Sequence, residues 1–174
     1  MSYFMSLIIL VFSLVGCSSV QVSDYKNEKP ELKLEEFFNG PLTAHGVFID
    51  RSGMVKKRFT VDMKGSWKEN VGVLEEDFFY SDGTKSRRVW TLTKQPNGTY
   101  TGEASDVVGK ALGEVSGNAF RFAYTLALEV DGTTYNVKLD DWMWQIDDKV
   151  ILNKSKMYKF GIYLGEVLLT MSKK

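Results

Sequence analysis

Four charged side chains fall in phase with apolar neighbours along alternating stretches, and chemistry is expected there first. Glu76 shares its face with Leu74 and Phe78, Arg88 with Trp90 and Leu92, Asp141 with Leu139 and Met143, and Glu166 with Leu164 and Leu168. A charge on the core side of a strand is costly unless paired. An inward Arg88 therefore needs a carboxylate, supplied by the protein or by a bound acid. Asp140 and Asp141 are adjacent, so in a strand they point to opposite faces and cannot act as an acid–base pair. His45 is the only histidine and no Gly-x-Ser-x-Gly elbow is present, which argues against a nucleophilic triad. One histidine and one cysteine leave no basis for a His- or Cys-ligated metal, and no cofactor is expected.

The elements that would carry these groups read as strands. In Val55 to Met63 the set Val55, Phe59, Val61, Met63 opposes Lys56, Arg58, Thr60, Asp62. From Phe120 to Val130 one face is Phe120, Phe122, Tyr124, Leu126, Leu128 and Val130. A helix would place apolar residues three and four apart, so the two-residue period decides for strand. Tyr135, Val137, Leu139 and Met143 repeat the pattern, as do Phe160, Ile162, Leu164 and Leu168. Asp82-Gly83, Asn97-Gly98 and Asp131-Gly132 mark hairpin turns of type I′, with Arg51-Ser52-Gly53 and Asp147-Asp148 as weaker signals. Roughly eight to ten strands joined by tight turns imply an all-β antiparallel meander. Closure into a lipocalin-like (calycin-like) barrel removes its exposed edges, with an open sandwich as the second choice. Charged outward faces argue against a transmembrane barrel.

Two segments depart from the pattern. Leu32 to Phe38 suits one helical turn or an edge strand and ends at Asn39-Gly40-Pro41. Ala104 to Ala119, with Gly109, Gly113 and Gly117, shows no alternation. It reads as a bent or bulged strand whose glycines allow close approach, with a ligand-lining loop as the lesser reading.

Residues 1–16 carry no charged side chain and contain an apolar run too short to span a bilayer, which takes roughly 20 residues. That pattern fits a signal peptide, expected as a helix detached from the barrel. Leu14-Val15-Gly16-Cys17 resembles the bacterial lipobox, which makes Cys17, the sole cysteine, the expected site of lipid attachment. Residues 17–31 are polar and read as a lipidated tether, leaving 32–174 as a single barrel domain. The 22 basic and 22 acidic side chains balance. A neutral chain without a basic block gives no footprint for nucleic acid, and membrane attachment would rest on the acyl chains alone. With Ser18 rather than Asp directly after Cys17, the resemblance to Gram-negative lipoproteins favours the inner leaflet of the outer membrane, facing the periplasm. The domain is expected to be a monomer.

The lipobox, Phe37-Phe38-Asn39-Gly40, Asp106-Val107-Val108-Gly109, Gly117-Asn118-Ala119, Asp140-Asp141-Trp142-Met143 and Lys159-Phe160-Gly161 together resemble a family of Gram-negative lipoproteins. That family is grouped as a domain of unknown function, number thirty-eight thirty-three. The resemblance covers essentially the whole mature chain and implies an envelope lipoprotein. It brings no activity, so no catalytic residue follows from it.

The expected job is binding. Phe120, Phe122 and Tyr124 on one strand and Tyr135 on the next would form an apolar and aromatic wall. The ligand would be a fatty acid, phospholipid or isoprenoid; Arg88, beside Trp90, would meet an acyl carboxylate, with Asp141 and Glu166 as further inward groups. The alternatives are an enzyme using the Asp141, Glu166 and Arg88 cluster on a lipidic or isoprenoid substrate, and a structural envelope protein with a filled core.

Overall fold

The computed structural model describes residues 19–130 and 132–174. The expected signal helix and Cys17 lie outside them. The alternating stretches become ten strands: β1 Gly40–Asp50, β2 Val55–Lys68, β3 Val71–Tyr80, β4 Lys85–Lys94, β5 Tyr100–Glu103, β6 Ala111–Ser116, β7 Ala119–Val130, β8 Thr133–Gln145, β9 Val150–Lys159 and β10 Ile162–Lys173. Each pairs antiparallel with its sequence neighbours, and β1 pairs with β10 from Leu42↔Lys173 to Asp50↔Gly165. The meander thus closes into an all-β barrel and leaves no end strands.

The hairpin turns sit where the Asx-Gly pairs mark them; at Asp82-Gly83 and Asn97-Gly98 the geometry differs from type I′, while β7 and β8 stay paired up to Val130↔Thr133 around the third, whose Asp131 lies outside the described residues. Among the described residues only Glu69 and Phe160 are non-glycine positions with positive φ, so Asp82 and Asn97 are not in that region. Instead the Gly83 N–H bonds back to the Tyr80 carbonyl, and the Gly98 N–H to that of Gln95. The Asp82 carboxylate accepts from the Thr84 N–H at 3.0 Å, as the Asn97 side-chain oxygen does from Thr99 at 3.1 Å. The side chain braces the turn and only the glycine takes the left-handed conformation, the three-residue form of a hairpin loop.

One end of the barrel is closed. Helix α1, Leu34–Phe37, lies across it with Leu32, Leu34, Phe37 and Phe38 buried in the main core. Burying each such side chain contributes about 1.5–3 kcal/mol. Polar contacts fix the plug's orientation. Trp67 donates its indole N–H to the Phe38 carbonyl at 3.1 Å, and Glu35 accepts from Tyr100 Oη at 2.8 Å and from Lys94. Burial opposes ionisation of Glu35, yet these bonds hold its carboxyl below the ordinary value. Glu35→Ala leaves a tyrosine hydroxyl and an ammonium without their acceptor. It should lower stability by about 1–3 kcal/mol, measurable by urea unfolding; an unchanged midpoint would show that the plug does not depend on this contact.

The segment before α1 is not a free tether. A short 3-10 turn, Val22–Tyr25, lies against the outside of the wall, where the Tyr25 ring sits 6.0 Å from Trp142 and 6.4 Å from Trp144. A lone aromatic in a polar stretch has no periodicity, so its docking was not visible in the pattern. The glycine-rich stretch resolves into a turn, β6 and a second turn. At Gly113 a Cβ would come within 2.6 Å of the Phe120 ring, so this glycine lets a buried aromatic lie against the backbone.

Candidate functional site

Above the plug the barrel interior is not filled. A cavity of about 570 Å³ runs from Leu34 and Phe38 to the opposite rim at Lys57, Tyr80, Lys85 and Leu128. That volume lies within the roughly 300–1,000 Å³ typical of small-molecule sites. Its wall includes Phe48, Phe59, Phe78, Leu126, Leu139 and Met157. Six of the sequence candidates line it: Arg88, Trp90, Phe120, Phe122, Tyr124 and Asp141. The aromatics form a ladder, with Phe122 centred 5.1 Å from Trp90, 5.3 Å from Phe120 and 5.5 Å from Tyr124.

Two candidates do not reach the cavity. Glu166 is turned to the outer surface, where its carboxylate lies 3.7 Å from Lys154 Nζ. The cause is a bulge in β10 between Tyr163 and Gly165, which shifts the alternation so that Val167, Leu169 and Met171 point inward. At Gly165 a Cβ would lie 2.3 Å from the Ile49 carbonyl oxygen, so glycine permits the bulge. Tyr135 sits two residues into β8, where the strand has passed the rim. It is 37% exposed, with Lys159 Nζ 3.9 Å above its ring.

The polar groups in the wall come from facing strands. Glu76 on β3 stands directly opposite Arg88 on β4 in the ladder, and Asp141 on β8 pairs with Ser155 on β9. In the ring of ten strands β3 and β8 are half a turn apart. Arg88 is claimed by a residue that sequence alone did not single out. Its Nε lies 3.0 Å from Asp106 Oδ2 and its Nη2 2.7 Å from the same carboxylate. Its Nη1 is 4.0 Å from Glu76 Oε2. Asp141 accepts from the Asn153 amide and is 6% exposed, while its neighbour Asp140 points outward to Arg121 at 2.6 Å.

The Arg88–Asp106 pair also closes the wall. β4 pairs with the short β5 only through Thr91–Lys94, and β7 pairs with β6 only through Ala119–Ala123. The first half of β4 and the second half of β7 thus face each other without a ladder. Residues 104–110 fill the gap, bonding Val108 N–H to the Thr125 carbonyl at 2.9 Å and Ala127 N–H to the Asp106 carbonyl at 2.8 Å. Asp106 then reaches Arg88 from the other side.

Burial pushes the carboxyls of both Glu76 and Asp141 up to about 7, against the partial relief given by Arg88 and, for Asp141, by Asn153. Burial outweighs any one partner. Between about pH 4 and 7 the unfolded chain has released these protons while the folded barrel keeps them. Stability should therefore fall as pH rises through that window, by on the order of a few kcal/mol, and level off above it. Thermal melts should give a lower Tm at pH 8 than at pH 5.5, and Glu76→Gln should raise the pH 8 value and flatten the slope. A Tm that rises with pH in this range, or a slope untouched by Glu76→Gln, contradicts this assignment.

The family model described as "Protein of unknown function (DUF3833)" matches residues 11–173. The chain belongs to that family. No curated protein matches this DUF3833 member. Among solved structures it is similar to a protein of unknown function from the DUF3598 family of Nostoc punctiforme PCC 73102, at 14% identity and a TM-score of 0.51. That likeness covers 84% of this chain and 51% of the other, so the chain spans about half the length of that relative. A de novo designed fluorescence-activating β-barrel also matches at 11% identity, over 82% of this chain and 99% of the design, with a TM-score of 0.40. At 14% identity the Nostoc likeness is one of fold alone.

Proposed function

We propose that this DUF3833 barrel is a binding module that holds one lipid-like molecule, a single acyl or isoprenoid chain, inside its cavity. The single observation that supports this most is the 570 Å³ of apolar-walled space in a barrel that is plugged at one end and open at the other. A structural protein of this size would gain stability by filling such a space with side chains, as many small barrels do. Under this reading the protein is a monomer held by acyl chains on Cys17 to the inner leaflet of the outer membrane, facing the periplasm. Cys17→Ser should abolish acyl labelling and move the protein to the aqueous phase of a detergent extraction; labelling that persists would remove the anchor from the account.

Native mass spectrometry of protein made in a bacterial periplasm tests the cavity directly. It should show a lipid adduct of one molecule per chain. Leu128→Trp, placed on the half-buried rim where a larger ring fills the entrance, should cut adduct occupancy at least about fivefold without lowering Tm. An adduct that survives Leu128→Trp unchanged, or no adduct together with no saturable lipid uptake, argues for a packed structural role.

A second reading is an enzyme acting on the bound lipid, favoured by two cavity carboxyls that burial brings to about 7, the range suited to proton transfer. It would use Asp141 with Glu76, since Glu166 is outside. Chemical change of the bound lipid over time, lost in Glu76→Gln while binding persists, supports it; release of an unchanged ligand counts against it.

A further inference from the structure

The protein itself supplies the carboxylate that an inward Arg88 needs, and this geometry leaves Arg88 little to offer an acyl carboxylate. Two of its three nitrogens point at Asp106, and the third faces Glu76. Around this one guanidinium the wall and its closing segment carry three carboxylates, Glu76, Asp106 and Asp141, while Lys57, Lys85 and the exposed Glu129 also line the cavity, with the two lysines at its rim. The unmet demand at Glu76 is for a donor, while the Ser155 hydroxyl can take either a donor or an acceptor. Among the described residues Glu76 Oε2 is buried without a hydrogen-bond partner, and so is Ser155 Oγ, in a residue only 4% exposed. Both residues line the cavity, and Ser155 stands beside Asp141 in the β8–β9 ladder. A buried acceptor without a partner is costly, and an ionised one more so.

We propose that the cavity selects an apolar chain whose buried end donates hydrogen bonds, an amine or a hydroxyl, and rejects a chain that ends in a carboxylate. The inference rests on the cavity being a ligand site. An ammonium brings three donors and a positive charge to Glu76 Oε2 and the Asp141–Ser155 pair. A hydroxyl brings one donor and can also accept from Ser155. A carboxylate brings no donor and a fourth negative charge into a poorly solvated space. The chain would then run along Leu126, Leu139 and Met157 towards the rim.

The test is displacement of an apolar fluorescent probe from the purified protein by decylamine, decanol and decanoate, below their micelle concentrations. At pH 8 the amine and the alcohol should each bind at least about tenfold tighter than decanoate, since a hydrogen bond to a charged group contributes that much or more. At pH 5.5, with Glu76 and Asp141 protonated, the amine should lose its advantage over the alcohol. The Glu76→Gln, Asp141→Asn double variant keeps side-chain shape and should bind amine and decanoate within about threefold of each other. Should that variant fail to fold, Ser155→Ala is expected to weaken the alcohol several-fold and leave decanoate unchanged. Decanoate binding as tightly as the others overturns the end-group inference while the cavity reading stands. An order of preference that survives in a folded double variant, or an alcohol affinity that Ser155→Ala leaves intact, overturns it too. If neither the probe nor any of the three chains binds saturably, both fall together.

Discussion

Phe122→Ala should destabilise the barrel by about 3–5 kcal/mol, the range for deleting a buried aromatic ring. Phe122 is 4% exposed and lies in the middle of the ladder that joins β7 to β4 through Trp90. Its ring tip also rests on β5, where a Cβ on Gly102 would be 2.5 Å from Phe122 Cζ. Removing the ring separates three strands at once, in the part of the wall where β5 and β6 are shortest. Tm should drop by roughly 10 °C or more, and calorimetry checks it. A fall of less than about 3 °C would mean that the wall collapses onto the gap and that the ladder is not what holds the cavity open.

Arg88→Ala should have the second largest effect, about 2–4 kcal/mol. Most of that loss is the penalty for leaving Asp106 and Glu76 without their cation, which exceeds the net worth of the pair. The partial exposure of Arg88 and Asp106 keeps it below the cost for a fully buried pair. The change should be local as well as global. Hydrogen exchange at the Val108 and Ala127 amides, which close the 104–110 segment onto β7, should accelerate at least about tenfold, while Met63 in β2 should change little more than the global loss requires. In a double-mutant cycle with Asp106→Asn, the combined loss should be smaller than the sum by about 1–2 kcal/mol. Additive effects would show that the segment is held by its backbone bonds alone.

Much of this is legible in the sequence alone. The period of two in Val55 to Met63 and Phe120 to Val130 placed the strands and their inward faces, because one side of each strand is packed and the other is wet. The recurrent Asx-Gly pairs mark the hairpins, although bracing by the Asp82 and Asn97 side chains makes the turns at Gly83 and Gly98 three-residue turns. The misplacement of Glu166 has one physical source, the bulge at Gly165, which a strict alternation passes over. Tyr135 failed for a different reason: phase says which face a residue lies on, not whether the strand there is still enclosed. Asn153 and Ser155 were missed because polar residues inside hide the alternation. The signal was present in Ile151, Asn153, Ser155 and Met157, which alternate with Leu152, Lys154 and Lys156. Asp106 was out of reach, since it enters from a segment with no period at all and is positioned by two backbone bonds to β7.

The central claim is that the interior holds a single apolar chain, and the most direct measurement is a crystal structure of the protein with a bromine-tipped alkyl alcohol. Anomalous density for one bromine near the rim at Leu128, with the chain running inward to a hydroxyl beside Glu76 and Ser155, is the result expected. Bromine found only on the outer surface at saturating ligand, with side chains closed over the space between Phe38 and Leu128, would contradict it.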